Sequence, residues 1–185
     1  MDPIDALERS WNDGAGIVAR LTAEDLTRPT PCTGWDVKQL LNHTLGEGQM
    51  MTLVNRGQTS GNDRGDLVGG GAGLGDMWSR LGEENIASWR ASGLEGTRTY
   101  FYGTFPAGAS AVINLGEVLV HTWDLARGID VDFQVDPEQA GLVHGLYAAI
   151  PLAGMRAAGM LAPEVPVPDD APVAEQMLGL LGRQP

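Results

Sequence analysis

The chain has 185 residues, 43% of them hydrophobic, which is enough for a compact core and too much for a chain disordered along its length. Twelve basic residues against 24 acidic ones give a net charge of −12, the wrong sign for tracking a phosphate backbone or an anionic bilayer, so neither nucleic acid nor a membrane is an expected partner. No run approaches ~18 apolar residues, and the opening M-D-P-I-D-A-L-E-R lacks the basic start and apolar stretch of a secretory signal. A soluble, cytoplasmic protein, monomer or homodimer, is expected.

The N-terminal segment sets Asp2 as a cap, Pro3 at a first helical position, and Ile4, Leu7, Trp11, Ile17, Val18 and Leu21 at roughly helical spacing. A Pro-containing loop over 27–36 prevents a helix until about Trp35, and residues 35–55 then read as a second helix with Val37, Leu40, Leu41, Thr44, Gly48 and Met51 on one face. Residues 56–76 are rich in Gly, Asp and Asn without a phosphate-binding pattern, which predicts a mobile surface loop. Met77 to about Gly93 makes a third helix. Residues 97–106 predict an extended connector or small hairpin, 107–128 an apolar helix, 137–159 a further helix capped by Asp136, and 163–172 an extended tail before a short helix over 173–181. Four long helices with little strand signal predict an all-α bundle, taken as a single domain over 1–185.

Residue scarcity limits the chemistry. The single cysteine, Cys32, excludes an intrachain disulfide and any multi-cysteine metal site, and reads as a small buried apolar side chain. Lys38 is the only lysine and falls on a helix surface as a solvated charge, so Schiff-base chemistry drops out. The three histidines are His43, His121 and His144. Glu117 and His121, four residues apart, lie ~40° apart on one helix face and together can grip a divalent ion, with His43 from the second helix as a third ligand. The same spacing also suits histidines that are simply hydrogen-bonded within a core. Glu47, one turn after His43, reads as a fourth ligand, an outer partner or a solvated carboxylate. Asp124 shares the face of Glu117 and is placed to orient a ligand or act as a base, and Asn114 lies on that face too. Arg127 is placed either to bind a substrate carboxylate or to complement a helix C-terminus. In a field of −12, an anionic substrate needs such a cation. Trp35 and Trp123 read as core, and His144 as a non-ligand.

Three segments carry a family resemblance: T-P-C-T-G-W-D-V-K-Q-L-L-N-H from Thr30 to His43, G-E-V-L-V-H-T-W-D-L-A-R from Gly116 to Arg127, and the proline-rich stretch from Pro163 to Pro172 with L-L-G-R ending at Arg183. In order and over most of the chain, this resembles the actinobacterial family built on the N-terminal domain of mycothiol-dependent maleylpyruvate isomerase, within the DinB-like four-helix bundles. The resemblance implies an up-down-down-up bundle and a divalent ion, zinc or alternatively nickel, held by His43, Glu117 and His121. It implies a reaction in which a low-molecular-weight thiol, mycothiol, is transferred to a small electrophile or isomerises it; the positions of Asp124, Arg127 and Glu47 relative to the ligands make them the catalytic candidates. A metal hydrolase using bound water and a non-catalytic metal-binding relative are the alternatives. The isomerase carries a further C-terminal domain for which this chain, ending at Pro185, leaves no expected room.

Overall fold

The computed structural model describes residues 1–59, 61 and 65–185; Ser60 and residues 62–64 of the predicted 56–76 loop lie outside the described residues. Helices α1 (Pro3–Val18), α2 (Val37–Asn55), α3 (Leu74–Ser92) and α4 (Ala107–Gly128) are joined in part by a hairpin of β1 (Thr97–Tyr100) and β2 (Gly103–Pro106), and are followed by α5 (Pro137–Ala148), α6 (Ala153–Ala157) and α7 (Val173–Leu180). The chain forms two compact units, Asp2–Phe133 and Gln134–Pro185, the second grouped with Met1.

Local chemistry sets where the elements begin and end. The Asp2 carboxylate accepts from the Ile4 N–H at 2.8 Å, and Pro3 needs no donor of its own at the first position. The second helix starts at Val37 rather than Trp35, because Asp36 takes an extended conformation and closes a capping box. Its side chain accepts from the Gln39 N–H at 2.8 Å, and the Gln39 side chain accepts from the Asp36 N–H at 2.9 Å. Helix α3 begins one turn earlier than expected, at Leu74, after the left-handed Gly73. The helix expected over 137–159 is broken: Pro151 lacks an N–H and disfavours helical geometry at Ile150, so α5 stops at Ala148 and only the five-residue α6 follows. Residues 97–106 form the small hairpin, in register Thr97↔Pro106 to Tyr100↔Gly103.

Residue pairings across the first unit give the directions of its helices. Glu8 meets Arg90, Trp11 meets Asn85 and Gly14 meets Trp78, so α1 and α3 are antiparallel. Asn85 bonds Gly48 and Ser88 bonds Asn55, so α2 and α3 run parallel. Val37 faces Gly128 and His43 faces Glu117, so α2 and α4 are antiparallel. The result is the up-down-down-up bundle, all-α apart from the hairpin.

Its centre is held by tryptophans that bury their rings while satisfying their N–H groups. Trp11 donates to Asn85 at 3.1 Å, Trp78 to the Trp11 carbonyl at 2.8 Å and Trp89 to Asn114 at 2.9 Å. Asn85, fully buried, passes its own amide hydrogens to Gly48 O at 3.0 Å and Thr52 at 3.2 Å. Close helix approach requires glycine at position 14, where an added Cβ would fall 2.3 Å from the Trp78 ring. Gly14→Ala is therefore expected to destabilise the unit by about 1–3 kcal/mol through overpacking, despite alanine's better helix propensity. A lowered urea midpoint at unchanged slope checks it.

The described part of the long loop is fastened to α2 next to a predicted ligand. Asn42 accepts the Leu67 and Val68 N–H groups at 2.7 and 3.0 Å and donates to Asp66 at 3.0 Å. Lys38, expected to be merely solvated, reaches Asp66 at 2.8 Å. The Lys38 bond first, then the Gly69 N–H and Asn42, hold the exposed Asp66 carboxyl down at about 2. A depressed folded-state value means that this anchoring is complete above the ordinary carboxyl range and is lost as pH falls through about 2. An NMR titration of Asp66 is expected to show that midpoint, and Lys38→Met to move it upward.

Candidate metal centre

Between Arg28 and α2 the chain makes a tight, closed loop. Pro29 and Asp36 form an isolated antiparallel bridge, the Val37 N–H donates to Arg28 O at 3.0 Å and the Trp35 N–H to Cys32 O at 2.9 Å. The Thr30 hydroxyl donates to Trp35 O at 2.9 Å, and Gly34 supplies the positive φ of +81° that the turn requires. Arg28 pairs with Asp130 just beyond α4. The loop lays the Cys32 thiol against α4 and sets the Trp35 indole beside the histidines of both helices.

His43 on α2 and Glu117 and His121 on α4 converge. His43 Nε2 lies 2.9 Å and His121 Nε2 3.3 Å from the same Glu117 oxygen, Oε2, and the imidazole rings stand 5.0 Å apart at 84°. The other His121 nitrogen, Nδ1, is 3.0 Å from Asp124 Oδ2. That oxygen also accepts from the Cys32 thiol at 3.2 Å, with the sulfur 4.0 Å from Nδ1. Asp124 is fully buried, whereas the side chains of His43 and Glu117 stay about a quarter exposed (26% and 25%), so the cluster opens to solvent on their side.

Electrostatics bind the group into one unit. Burial alone would raise the Glu117 carboxyl, but hydrogen bonds from His121 and His43, and their charge, hold it well below its usual range. Burial alone would lower His121, but bonds to Asp124, Cys32 and Glu117 hold it well above the usual imidazole value. Two carboxylates flanking one imidazole in a partly dry site call for positive charge. The ligand atoms of His43, Glu117 and His121 all lie within 4.8 Å of one another. Tetrahedral zinc sets ligand–ligand edges of about 3.3 Å for nitrogen and oxygen donors, close to the separations from Glu117. The donor set thus fits a divalent ion, and three protein ligands leave one position for another molecule. Asp124, bonded to Nδ1, would keep the ring proton on that nitrogen once an ion took Nε2, as outer carboxylates do for metal-bound histidines.

The remaining sequence candidates fall elsewhere. Glu47 is buried one turn along α2 from His43 but is outside the ligand groups found among the described residues. Its charge adds to the burial that raises the Tyr100 phenol. Arg127 is exposed, with its guanidinium 5.4 Å from the centre of the Trp123 ring. Trp123 is core as expected, and Asn114 turns its oxygen to Trp89. His144, half-buried on α5, joins no such ligand group.

Two readings are corrected. Trp35 is not core: it is half-buried, with its ring centre 4.8 Å from that of His43 and 6.5 Å from that of His121. Cys32 is not an apolar filler but a half-buried thiol bonded to Asp124. It sits on the Nδ1 side of His121, across the ring from Glu117, so it cannot complete the coordination of an ion held at Nε2. The one sequence signal for both residues is position: a short turn immediately before the cap of the helix that carries His43.

The family described as the mycothiol maleylpyruvate isomerase N-terminal domain matches residues 7–126. The chain belongs to that family. It is also 30% identical over 186 residues to an uncharacterized protein found in two strains of Mycobacterium tuberculosis, covering 99% of this chain and 98% of that protein. The crystal structure of the mycothiol-dependent maleylpyruvate isomerase superposes with a TM-score of 0.67 at 15% identity, covering 98% of this chain and 88% of the isomerase chain. This family member therefore has the isomerase's DinB-like fold. The 88% share also corrects the expectation that much of the isomerase is without a counterpart here.

Proposed function

We propose that this member of the family is a metal-dependent enzyme that uses a low-molecular-weight thiol, by family relation mycothiol, for transfer to or isomerisation of a small electrophile. The observation that carries this reading is a three-ligand set, His43, Glu117 and His121, open to solvent on one side and backed on the other by a buried carboxylate that orients His121. A divalent ion held there, zinc first and nickel as the alternative, would act as a Lewis acid that favours thiolate over thiol in a ligand at the open position.

The chain's own residues supply the rest. Asp124 keeps the His121 proton on Nδ1 and so keeps Nε2 directed at the site. Trp35 walls the site with an apolar face and restricts water beside the two imidazoles. Glu47, buried one turn along α2 from His43, would add negative charge behind that ligand. Arg127, stacked on Trp123, is assigned to packing. A thiolate favoured in this way would add to an electron-poor double bond, opening its π bond to leave a carbanion; taking up a proton would keep the sulfur as a transferred group, whereas expulsion of the thiolate after bond rotation would complete an isomerisation.

Zinc-loaded protein incubated with mycothiol and a model electrophile tests this by mass spectrometry and NMR. A thioether adduct or isomerised product that requires both thiol and His121 is expected. Product formed equally well without thiol would replace this reading with hydrolysis by water.

A further inference from the structure

The ligand groups of this unit contain a second triad. Cys32, His121 and Asp124 also bring one ligand atom each within 4.8 Å of one another, and they meet at the opposite nitrogen of the histidine that serves the first site. Their separations are 3.0 Å (Nδ1 to Oδ2), 3.2 Å (Sγ to Oδ2) and 4.0 Å (Sγ to Nδ1). Tetrahedral coordination of a zinc-sized ion by thiolate, imidazole and carboxylate sets edges of about 3.3–3.6 Å, and a larger ion such as Cd2+ slightly longer ones, so each pair needs to move by less than about an ångström. The carboxylate is fully buried, and the loop holding the sulfur is fixed at both ends by the Pro29↔Asp36 bridge and the Arg28–Asp130 pair.

We propose that Cys32, His121 Nδ1 and Asp124 form a second cation site, selective for thiophilic ions such as Cd2+ or Cu+, and filled only in exchange for the first. The donors decide the selectivity: a sulfur ligand favours soft ions, whereas the nitrogen and oxygen donors of His43 and Glu117 do not. The shared ring decides the exclusivity. A neutral imidazole has one lone pair. With an ion at Nε2 the proton sits on Nδ1 and is donated to Asp124. With an ion at Nδ1 the proton moves to Nε2, where Glu117 Oε2 at 3.3 Å accepts it, and the Cys32 thiol releases its proton to solvent. A thiophilic ion thereby takes His121 away from the first site and silences it. The inference needs the His43/Glu117/His121 centre but not the thiol reaction.

The test uses Cd2+, with Zn2+ as the ion for the first site. A variant carrying His43→Ala and Glu117→Ala, shown to be folded by circular dichroism, is expected to bind one Cd2+ and to show a sulfur-to-metal charge-transfer band. Cys32→Ser in the otherwise native chain is expected to lose the band and keep one equivalent of zinc. Native protein is expected to bind one ion in total. A double variant without the band, a band that survives Cys32→Ser, or two ions bound at once to native protein would overturn the proposal. A failure of thiol-dependent turnover alone leaves these readouts unchanged, so the two ideas fail separately.

Discussion

Replacing His121 with alanine is expected to abolish stoichiometric zinc binding and, in the metal-free protein, to destabilise the first unit. His121 faces both carboxylates, at 3.3 Å from Glu117 and 3.0 Å from Asp124. Outer partners of metal ligands are worth about 10–100-fold in affinity, so deleting the ligand itself should cost at least the upper end of that range. It also leaves the fully buried Asp124 without its imidazole partner. Removing one member of a buried ion pair costs about 3–5 kcal/mol, because the remaining charge stays desolvated. His43→Ala should show the affinity loss with a smaller stability loss, since its side chain is 26% exposed and does not face Asp124. Calorimetric zinc titration and urea unfolding, each run on both variants, separate the effects. One equivalent of zinc retained by His121→Ala would contradict the assignment.

Asp124→Asn is expected to lower zinc affinity by about 10–100-fold while leaving all three ligands in place, because the group that orients His121 loses its charge. The same substitution should change the pH dependence of the metal-free protein. Asp124 is the largest of the influences that raise His121, working against the lowering effect of burial. A raised folded-state value gives stabilisation that is complete below the unfolded imidazole value of about 6.5 and is lost as pH rises through the folded value. Metal-free native protein should therefore lose stability as pH rises from about 6 into the alkaline range. Asp124→Asn should start lower and show a flatter profile over the same range. Unfolding by urea at several pH values, with chelator present, reads both. Unchanged affinity together with an unchanged profile in Asp124→Asn would show that the 3.0 Å bond has no part in the site.

How far the fold was legible follows from which interactions are local. Asp2 with Pro3, Asp136 with Pro137 and the apolar spacing of residues 107–128 act within one or two turns, and each produced the element it signalled. Glu117 and His121 were legible for the same reason, because four residues on one helix fix their relation without the rest of the fold. His43 needed the antiparallel pairing of α2 and α4, which no local pattern specifies; its place on the second helix made it a candidate third ligand, and the family resemblance strengthened that reading. The break at Pro151 was written in the sequence, but the apolar periodicity beyond it concealed its effect. The surroundings of Cys32 and Trp35 are not legible in the sequence for a further reason. They are created by a closed loop whose fastening to Asp130 spans a sequence separation of 102 residues. Trp11, slotted against Gly48 and Gly82, shows the same limit within the core, since the glycines that admit it come from two other helices.

Anomalous diffraction from a crystal of the protein grown with one equivalent of zinc tests the central claim most directly. A single anomalous peak bonded to Nε2 of His43, Nε2 of His121 and a Glu117 oxygen is the expected result, with Asp124 accepting from His121 Nδ1 and a non-protein ligand in the fourth position. No peak at these three residues, or a zinc peak at Nδ1 between Cys32 and Asp124, would contradict it.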